Sequence, residues 1–204
     1  MKKSIIYETI KKFLDIFLSF ILLLLLSPLF ILISLIIKFE SKGPVVFKQM
    51  RAGKDGSKFF MYKFRSMRHG AENEKEKITH LNEKKGPVFK IREDPRVTKF
   101  GKFLRQTSLD ELPQLYNVLI GEMSLVGPRP LPVDEMERCT ARQKIRLSVK
   151  PGITCLWQIS GRSMLSFRRW MALDLYYVKH RSLALDLYII IKTIPACITG
   201  IGAW

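Results

Sequence analysis

Two adjacent carboxylates and one arginine in a stiff turn are the residues of this chain best suited to chemistry. Asp110 and Glu111 lie near the start of the run TSLDELPQLYNVLIGEMSLVGPRP, and Arg129 lies between two prolines near its end. Ionised carboxylates act as nucleophiles or as ligands of a divalent cation. An arginine flanked by prolines presents its guanidinium to an anion from a fixed position. Together these side chains indicate phosphate chemistry.

The carboxylate pair also has a purely structural interpretation. Ser108 and Glu111 fit the S-x-x-E capping box, and acidic residues in a first helical turn complement the helix dipole. Pro113 favours Asp110 as the helix N-cap, or one residue inside, because a proline is tolerated in the first turn but loses a hydrogen bond further along. Either position at a helix start is expected to keep both carboxylates ionised near neutral pH. The pattern alone leaves both interpretations open.

A β-hairpin is predicted upstream of the acids. The segments 45–50 and 58–65 are rich in aromatic and β-branched residues, and they flank the turn residues GKDG at 53–56. Strand alternation places Lys63 and Arg65 on one face, so two cations converge on one surface. That surface is either a phosphate site or a solvated strand face.

Helices account for most of the remaining chain. Apolar residues at helical spacing predict one from Val97 through Leu104, and charged residues predict another over 134–149. Two more are predicted at 167–179 and 183–194, and the last fits either a buried core helix or an interfacial amphipathic helix. The polar segment 68–94 is predicted to be a mobile, partly helical excursion over the site. The predicted fold class is α+β, mainly helical.

The N-terminal region carries a membrane signal. Residues 16–37 contain no charged side chain and are long enough, at about 1.5 Å per residue, to cross a ~30 Å hydrocarbon layer. Basic residues flank the run on both sides, which draws both ends to the cytoplasm. Pro28 lacks an N–H and clashes with the carbonyl of Leu24, and the Ser27 hydroxyl is able to bond the freed backbone. A re-entrant membrane helix broken at Ser27 and Pro28 is therefore predicted, with a proline-kinked spanning helix as the alternative.

This interpretation divides the chain into two parts. Residues 1–40 form the predicted anchor, and residues 41–204 form a compact, membrane-associated cytoplasmic domain. A length of 204 residues is enough for about one domain with its own core.

Charge and cysteine content narrow the function classes. The chain has 35 Lys and Arg residues against 18 Asp and Glu, and its net charge of +17 predicts anionic partners such as phosphates, acidic lipid or nucleic acid. Its cysteines and histidines are scattered, without the spacing of a zinc site. The sequence has no helix-turn-helix, RNA-binding, zinc-finger or Walker pattern. We therefore expect phosphates and lipid, and no nucleic acid, as partners.

Four ordered motifs carry a resemblance to a known family. They are SLDELPQLYNVLIGEMSLVGPRP, KFRSM at 63–67, KPGIT at 150–154 and SGR at 160–162. Over nearly its whole length the chain resembles the bacterial sugar transferase family, in particular its small monotopic phosphoglycosyl transferases and the catalytic domains of undecaprenyl-phosphate hexose-1-phosphate transferases. One departure is Cys155, where many members carry glycine. It bears on the backbone of that loop rather than on the reaction.

The resemblance implies a reaction and a location. A sugar 1-phosphate would pass from a UDP-sugar to polyprenyl (undecaprenyl) phosphate through an aspartyl-phosphosugar intermediate, with release of UMP. Asp110 would be the nucleophile, with Glu111 beside it in metal binding or proton handling. Mg²⁺ suits both acids as ligands, because it prefers oxygen and is usually shared with substrate phosphate. The enzyme would lie on the cytoplasmic face of the bacterial inner membrane, either alone or as a homo-oligomer.

Five basic residues are predicted to contact substrate phosphate. Arg129 is assigned from its stiff backbone and Lys63 from the KFRSM match. The remaining assignments, of the same kind, are Arg65, Arg105 and Arg162.

Two other function classes stay open. A non-catalytic, basic, membrane-anchored module would bind acidic lipid or nucleic acid through charge alone, but it would leave the acids and the proline-rich turn without a purpose. A nucleotide-sugar hydrolase would release UMP without a lipid acceptor. Within the transferase class the residue types do not dictate one sugar, and selectivity is expected to depend on the loops at 150–170 and 70–90.

Overall fold

The computed structural model describes residues 4–74, 76–84 and 86–203. Within them the fold is α+β and mainly helical, as predicted. Two small two-stranded sheets lie among helices, and short 3₁₀ turns connect several of the elements. The helices are α1 (Ile5–Leu25), α2 (Ser27–Glu40), α3 (Lys99–Thr107), α4 (Gln114–Leu119), α5 (Val133–Glu137), α6 (Ala141–Lys144), α7 (Leu156–Ile159), α8 (Phe167–His180) and α9 (Leu183–Thr199). The strands are β1 (Val46–Ala52), β2 (Lys58–Phe64), β3 (Ser124–Val126) and β4 (Gly152–Thr154).

The N-terminal apolar segment is a bent pair of helices. α1 and α2 meet at a 62° bend, and among the described residues no helix alone is long and apolar enough to cross a membrane, whereas this pair together meets those criteria. At the bend the Ser27 hydroxyl donates to the carbonyl of Leu24 at 2.8 Å. Pro28 occupies the first turn of α2, where its missing N–H costs no hydrogen bond. The structure thus puts the break at the residues that local chemistry predicts. The basic residues Lys2 and Lys3 lie outside the described residues.

One polar stripe fastens α1 to the rest of the protein. The carboxylate of Asp15 accepts a hydrogen bond from the backbone N–H of Leu125 at 3.0 Å. Lys11 pairs with Asp186 of α9 at 2.8 Å. The remaining faces of α1 expose large apolar side chains, including Phe13 at 63%. The bent pair is therefore docked on the protein along one side and apolar on the other.

The predicted hairpin is present. β1 and β2 pair antiparallel, from Val46 opposite Phe64 to Ala52 opposite Lys58. The turn between them is a single 3₁₀ turn with Asp55 in the left-handed region at φ 54°. Lys63 is the next-to-last residue of β2, and its side chain reaches Glu111.

The structure contains a second sheet that the sequence did not predict. β3 and β4 pair in parallel, with Ser124 opposite Gly152 and Val126 opposite Thr154. The two backbones approach so closely that a Cβ on Gly152 would run into the amide of Gly127. This contact joins the KPGIT segment to the start of the VGPRP turn.

The helical predictions meet mixed outcomes. α8 spans nearly the predicted residues, and α9 continues past the predicted end to Thr199. The single charged helix predicted over 134–149 is wrong, because Thr140 and Gln143 form a capping box that begins a separate helix, α6. α9 has a buried side and an exposed apolar side, since Ile189 is fully buried while Ile194 is 61% exposed. Its position at a membrane interface stays a prediction.

Candidate active site

The two acids lie on a tight turn between α3 and α4. The 3₁₀ turn Leu109–Glu111 follows Ser108, which ends α3 in the left-handed conformation at φ 60°. Ser108 makes no side-chain cap, and Pro113 rather than Asp110 is the N-cap of α4. The predicted capping box and the predicted Asp110 cap are therefore wrong, because the chain must turn sharply at 108 to seat the acids.

An apolar cluster holds that turn from beneath. The two leucines on either side of the acids pack against a cluster that includes Leu104 and the buried α2 residues Ile33 and Ile37. The two acids lie between two leucines, Leu109 and Leu112. This order lets the leucines anchor the turn to α2 while the carboxylates face the polar cavity.

Glu111 is held by two cations. Arg129 donates Nη1 to Oε2 at 3.1 Å and Nη2 to Oε1 at 2.5 Å, and Lys63 Nζ donates to Oε1 at 2.8 Å. Burial by itself would raise the pKa of Glu111, but Arg129 and then Lys63 outweigh it and hold that pKa well below its usual range. Glu111 is thus an ionised, geometrically fixed carboxylate.

Asp110 is in a different environment only one residue away. Its nearest cation is Lys63, with Nζ 3.7 Å from Oδ2, and within the described residues it makes no other ion pair. Burial raises the pKa of Asp110; Lys63 opposes that rise and the neighbouring charge of Glu111 adds to it. Burial and unequal pairing thus move the pKa values of the two acids in opposite directions, although they are adjacent in the chain. The ionisation of both acids near neutral pH stays a prediction.

A cavity of about 850 Å³ opens beside Asp110. Its volume lies within the usual range for small-molecule sites, roughly 300–1,000 Å³. Basic side chains line it, and one of them, Lys90, was not predicted. Burial, and then the nearby cations Arg129, Arg105 and Lys63 in that order, lower the pKa of Lys90 to about 7. Converging like charges of this kind favour a bound anion such as a diphosphate.

Arg129 owes its position to contacts on several sides. Its guanidinium lies over the ring of Trp157, 5.2 Å from the centroid. Its backbone carbonyl accepts a hydrogen bond from Arg146, and the next carbonyl, of Pro130, accepts one from Arg51 at 3.1 Å. Two buried arginines therefore fix consecutive carbonyls of the GPRP turn. The pattern of prolines signalled a rigid turn but gave no sign of these partners.

Arg65 makes contacts at the end of α2 that the sequence did not predict. Its guanidinium donates to the carbonyls of Ile37, Ser41 and Lys42 at 3.3, 2.7 and 2.9 Å, and to the Ser41 hydroxyl at 2.9 Å. The carbonyls of Ser41 and Lys42 lie past the end of α2, where the helix leaves carbonyls without helical partners, while that of Ile37 also accepts from the N–H of Ser41. Both Nη groups of Arg65 are thus engaged at the end of α2, while its Nε has no hydrogen-bond partner in the described residues. The predicted phosphate contact of Arg65 stays a prediction.

The last predicted cations lie at two other parts of the cavity wall. Arg105 donates Nε–H to the Ser66 hydroxyl at 2.9 Å. Arg162 is 3% exposed with a left-handed backbone at φ 52°, and its Nη2 lies 3.6 Å from the sulfur of Cys197. The structure brings Lys63, Arg105 and Arg129 around the acids, while Arg162 makes no ion pair with them in the described residues.

The side chains of the site limit how a metal ion could bind there. Within the described residues no group of three or more His, Cys, Asp or Glu side chains comes together. Both oxygens of Glu111 are engaged by cations, so Asp110 is the carboxylate available to a ligand. Mg²⁺ is often held by one or two carboxylates with substrate phosphate and water supplying the rest. The residues fit a cation that arrives with substrate phosphate and contacts Asp110; they do not fit Glu111 as a second ligand in this arrangement.

Comparisons with known proteins give matches over most of the chain. A family model described as bacterial sugar transferase matches residues 6–200. The galactosyl transferase CpsE of Streptococcus agalactiae is 51% identical over 162 residues, which are 79% of this chain and 36% of that protein. The exopolysaccharide production protein ExoY of Rhizobium meliloti is 42% identical over 198 residues, covering 95% of this chain and 88% of that protein.

A third relative has a more explicit name. The UDP-glucose:undecaprenyl-phosphate glucose-1-phosphate transferase of Klebsiella pneumoniae is 42% identical over 192 residues, which are 90% of this chain and 39% of that protein. The chain thus spans well under half the length of the streptococcal and Klebsiella relatives, and most of the length of ExoY.

Proposed function

Because this chain belongs to the bacterial sugar transferase family, we propose that it transfers a sugar 1-phosphate from a UDP-sugar to undecaprenyl phosphate. The name of the Klebsiella relative describes this reaction with glucose, and the streptococcal name specifies galactose. The donor is a UDP-hexose on this proposal, and its sugar is left open.

The unequal pairing of the two acids carries the proposal. Glu111 is ionised, but both of its oxygens are bound by Arg129 and Lys63. Asp110 faces the cavity, and its oxygens are available to a ligand. A carboxylate placed beside a cluster of cations meets a diphosphate whose charge those cations offset. Asp110 is therefore the nucleophile, and Glu111 holds Arg129 and Lys63 at the site.

The reaction then proceeds in two transfers. An oxygen of Asp110 attacks the sugar-linked phosphorus, the bond to the α-phosphate oxygen breaks, and UMP leaves with that oxygen. The aspartyl-phosphosugar is next attacked by a phosphate oxygen of the lipid acceptor, which restores the carboxylate of Asp110. Arg129 and Lys63 offset charge on the phosphates in both transfers. Mg²⁺, when bound, would neutralise the donor diphosphate.

The proposed location follows from the apolar surfaces. The bent pair α1–α2 is a re-entrant anchor on the cytoplasmic face of the bacterial inner membrane, and its apolar side chains contact lipid. The helix α9 lies at the interface, since Ile191, Ile194 and Ile198 form an exposed stripe at helical spacing. Such a location would bring the carboxylates to the depth at which a polyprenyl phosphate presents its charge.

The direct experiment measures UMP. Purified protein is incubated with Mg²⁺ and UDP-glucose, UDP-galactose or UDP-N-acetylgalactosamine, with and without undecaprenyl phosphate. UMP release that depends on the lipid, with formation of a lipid-linked diphosphosugar, supports the transferase. UMP release without lipid would favour a hydrolase, and no release with any donor would favour a binding module.

A substitution tests the nucleophile. Asp110→Asn removes the attacking oxygen and is expected to abolish turnover while the chain stays folded. Asp55→Asn in the hairpin turn is the matched control, because asparagine tolerates the left-handed backbone there. Trapped phosphosugar should map by mass spectrometry to the peptide that contains Asp110. Substantial activity in Asp110→Asn, or a label on another peptide, would overturn this mechanism.

A further inference from the structure

Arg105 lines the catalytic cavity, and its two Nη groups, here called the fork of Arg105, have no hydrogen-bond partner among the described residues. Its side chain lines the cavity that contains Asp110. Within the described residues its guanidinium makes one hydrogen bond, from Nε to the Ser66 hydroxyl at 2.9 Å, and no ion pair. Both Nη groups are therefore available to a ligand. A guanidinium whose two Nη groups are both free matches two oxygens of a phosphate.

The position of this fork is fixed by backbone contacts. α3 begins at Thr98, whose N–H donates to the carbonyl of Ser66 at 3.1 Å. Gly101 lies so close to the same carbonyl that a Cβ there would collide with it. Ser66 thus fixes both the helix and the Nε of Arg105, and a charged group at this point arises from the fold rather than from a flexible surface arm.

The wall that carries Arg105 borders the apolar surface of the protein. At one end of α3 the N–H of Phe100 donates to the Glu40 carboxylate at the end of α2, and at the other end Gly200 contacts the backbone of Gln106. α3 therefore lies between the bent pair and α9. Its Phe103 is 48% exposed.

Another part of the cavity lining, around Trp157, has a different character. There the guanidinium of Arg129 and the ammonium of Lys90 both lie over the ring of Trp157, at 5.2 Å and 5.9 Å from its centroid. A second ring, Trp170, stacks on Trp157 at 4.8 Å. Stacked aromatics with cations suit a nucleotide, whereas the wall formed by α3 suits a phosphate whose other end is apolar.

We propose that Arg105 binds the phosphate head of the polyprenyl phosphate acceptor, while the wall of Arg129 and Trp157 receives the nucleotide donor. This inference rests on the proposed function. The acceptor enters from the lipid side, and Arg105 directs its phosphate oxygen to the phosphorus of the aspartyl-phosphosugar. The new P–O bond forms as the bond from that phosphorus to the Asp110 oxygen breaks, so the carboxylate leaves with the electron pair and no proton is exchanged.

The two half-reactions separate this role from a general one. Arg105→Gln is mixed in single-turnover amounts with the UDP-hexose that the unchanged chain uses, without acceptor, and the UMP burst is measured. We expect a burst amplitude equal to that of the unchanged chain. With undecaprenyl phosphate in nanodiscs, the apparent KM for the acceptor should rise tenfold or more, because a charge-assisted contact contributes about 1.5–3 kcal/mol. The KM for the donor should change less than about twofold.

Controls keep the result interpretable. Lys102→Gln removes an exposed charge from the same helix and should leave both constants unchanged. Arg105→Lys retains the charge but loses the fork, so it should raise the acceptor KM by a smaller factor, and it replaces Arg105→Gln if that variant does not fold. An equal loss of burst and turnover in Arg105→Gln, or a rise confined to the donor KM, would overturn the inference. Absence of any burst in the unchanged chain would sink the covalent step of the proposed function, and the two KM values would still test Arg105.

Discussion

Arg129 and Glu111 form a bidentate ion pair in which Nη1 donates to Oε2 at 3.1 Å and Nη2 donates to Oε1 at 2.5 Å. The neighbouring Asp110 has one longer ion-pair contact within the described part of the chain, to Lys63 at 3.7 Å. Two residues of similar chemistry, adjacent in the chain, are thereby given different tasks. The pair also ties the acid turn to the GPRP turn, 18 residues further along.

The fork of Arg129 should matter more than its charge. Arg129→Lys supplies one ammonium in place of two parallel donors, and it leaves a buried oxygen of Glu111 short of a partner. We expect kcat to fall at least tenfold and the free energy of unfolding in urea to fall by about 1–3 kcal/mol. Arg138→Lys, in the exposed pair with Asp134, should change that free energy by less than about 0.5 kcal/mol. Equal effects of the two substitutions would contradict this view of the site.

Lys90 predicts a pH dependence. Its pKa is lowered to about 7, so it is protonated below that pH and loses its charge as the pH rises through it. The KM for the UDP-hexose should therefore increase between about pH 6 and pH 8, since the phosphates lose one cation. Arg stays charged over this range, so Lys90→Arg should flatten the profile. A steep rise that persists in Lys90→Arg would assign the titration to another group.

The close approach of β3 and β4 predicts a specific backbone effect. Gly152→Ala would push its Cβ into the amide of Gly127 and displace the start of the GPRP turn. We expect a loss of about 1–3 kcal/mol in the free energy of unfolding and a lower kcat. Gly70→Ala is the control, because Gly70 has φ +78° but open space around it, so only backbone strain is added. If Gly70→Ala lowered kcat as much as Gly152→Ala, the contact between the strands would not position Arg129.

Arg65 should behave as a structural residue. Arg65→Met removes the donors that satisfy the end of α2 and should lower the free energy of unfolding by about 2 kcal/mol or more. The KM for the UDP-hexose in the folded fraction should stay within about twofold. Arg68→Met, which breaks the exposed pair with Glu74, should leave stability nearly unchanged. A large increase in donor KM with unchanged stability would restore the phosphate role predicted from the KFRSM match.

The topology of the bent pair is open to chemical labelling. Ser4→Cys and Lys42→Cys should both resist a membrane-impermeant thiol reagent in intact cells and both react after lysis, because a re-entrant pair keeps its two ends in the cytoplasm. The background replaces the native cysteines, which are Cys139, Cys155 and Cys197. Labelling at position 4 alone in intact cells would establish a spanning helix.

Straightening the bend extends this test. Pro28→Ala combined with Ser27→Ala removes the ring clash and the competing hydroxyl, so some molecules should adopt the spanning topology. Activity should fall in proportion to the fraction labelled at position 4. Full activity in molecules shown to span would disprove the requirement for a re-entrant anchor.

The sequence by itself determined the features that depend only on residues close together in the chain. The break at Ser27 and Pro28 follows from proline chemistry, and the hairpin around Asp55 follows from turn residues between two apolar runs. The helix α8 is predictable for the same reason, since its pattern is local. The motifs likewise located Asp110, Glu111 and Arg129 in one site.

Only the tertiary structure decided what each of these side chains does. Lys63 comes from 48 residues away to bind Glu111, and Arg65 points instead to the end of α2 although strand alternation gave both the same face. β3 and β4 are too short to have a recognisable pattern and exist because two glycines allow their backbones to meet. The pKa of each acid depends on the charges that the fold brings near it, many of them distant in the chain. The opposite pKa shifts of Asp110 and Glu111 therefore could not be predicted from the sequence.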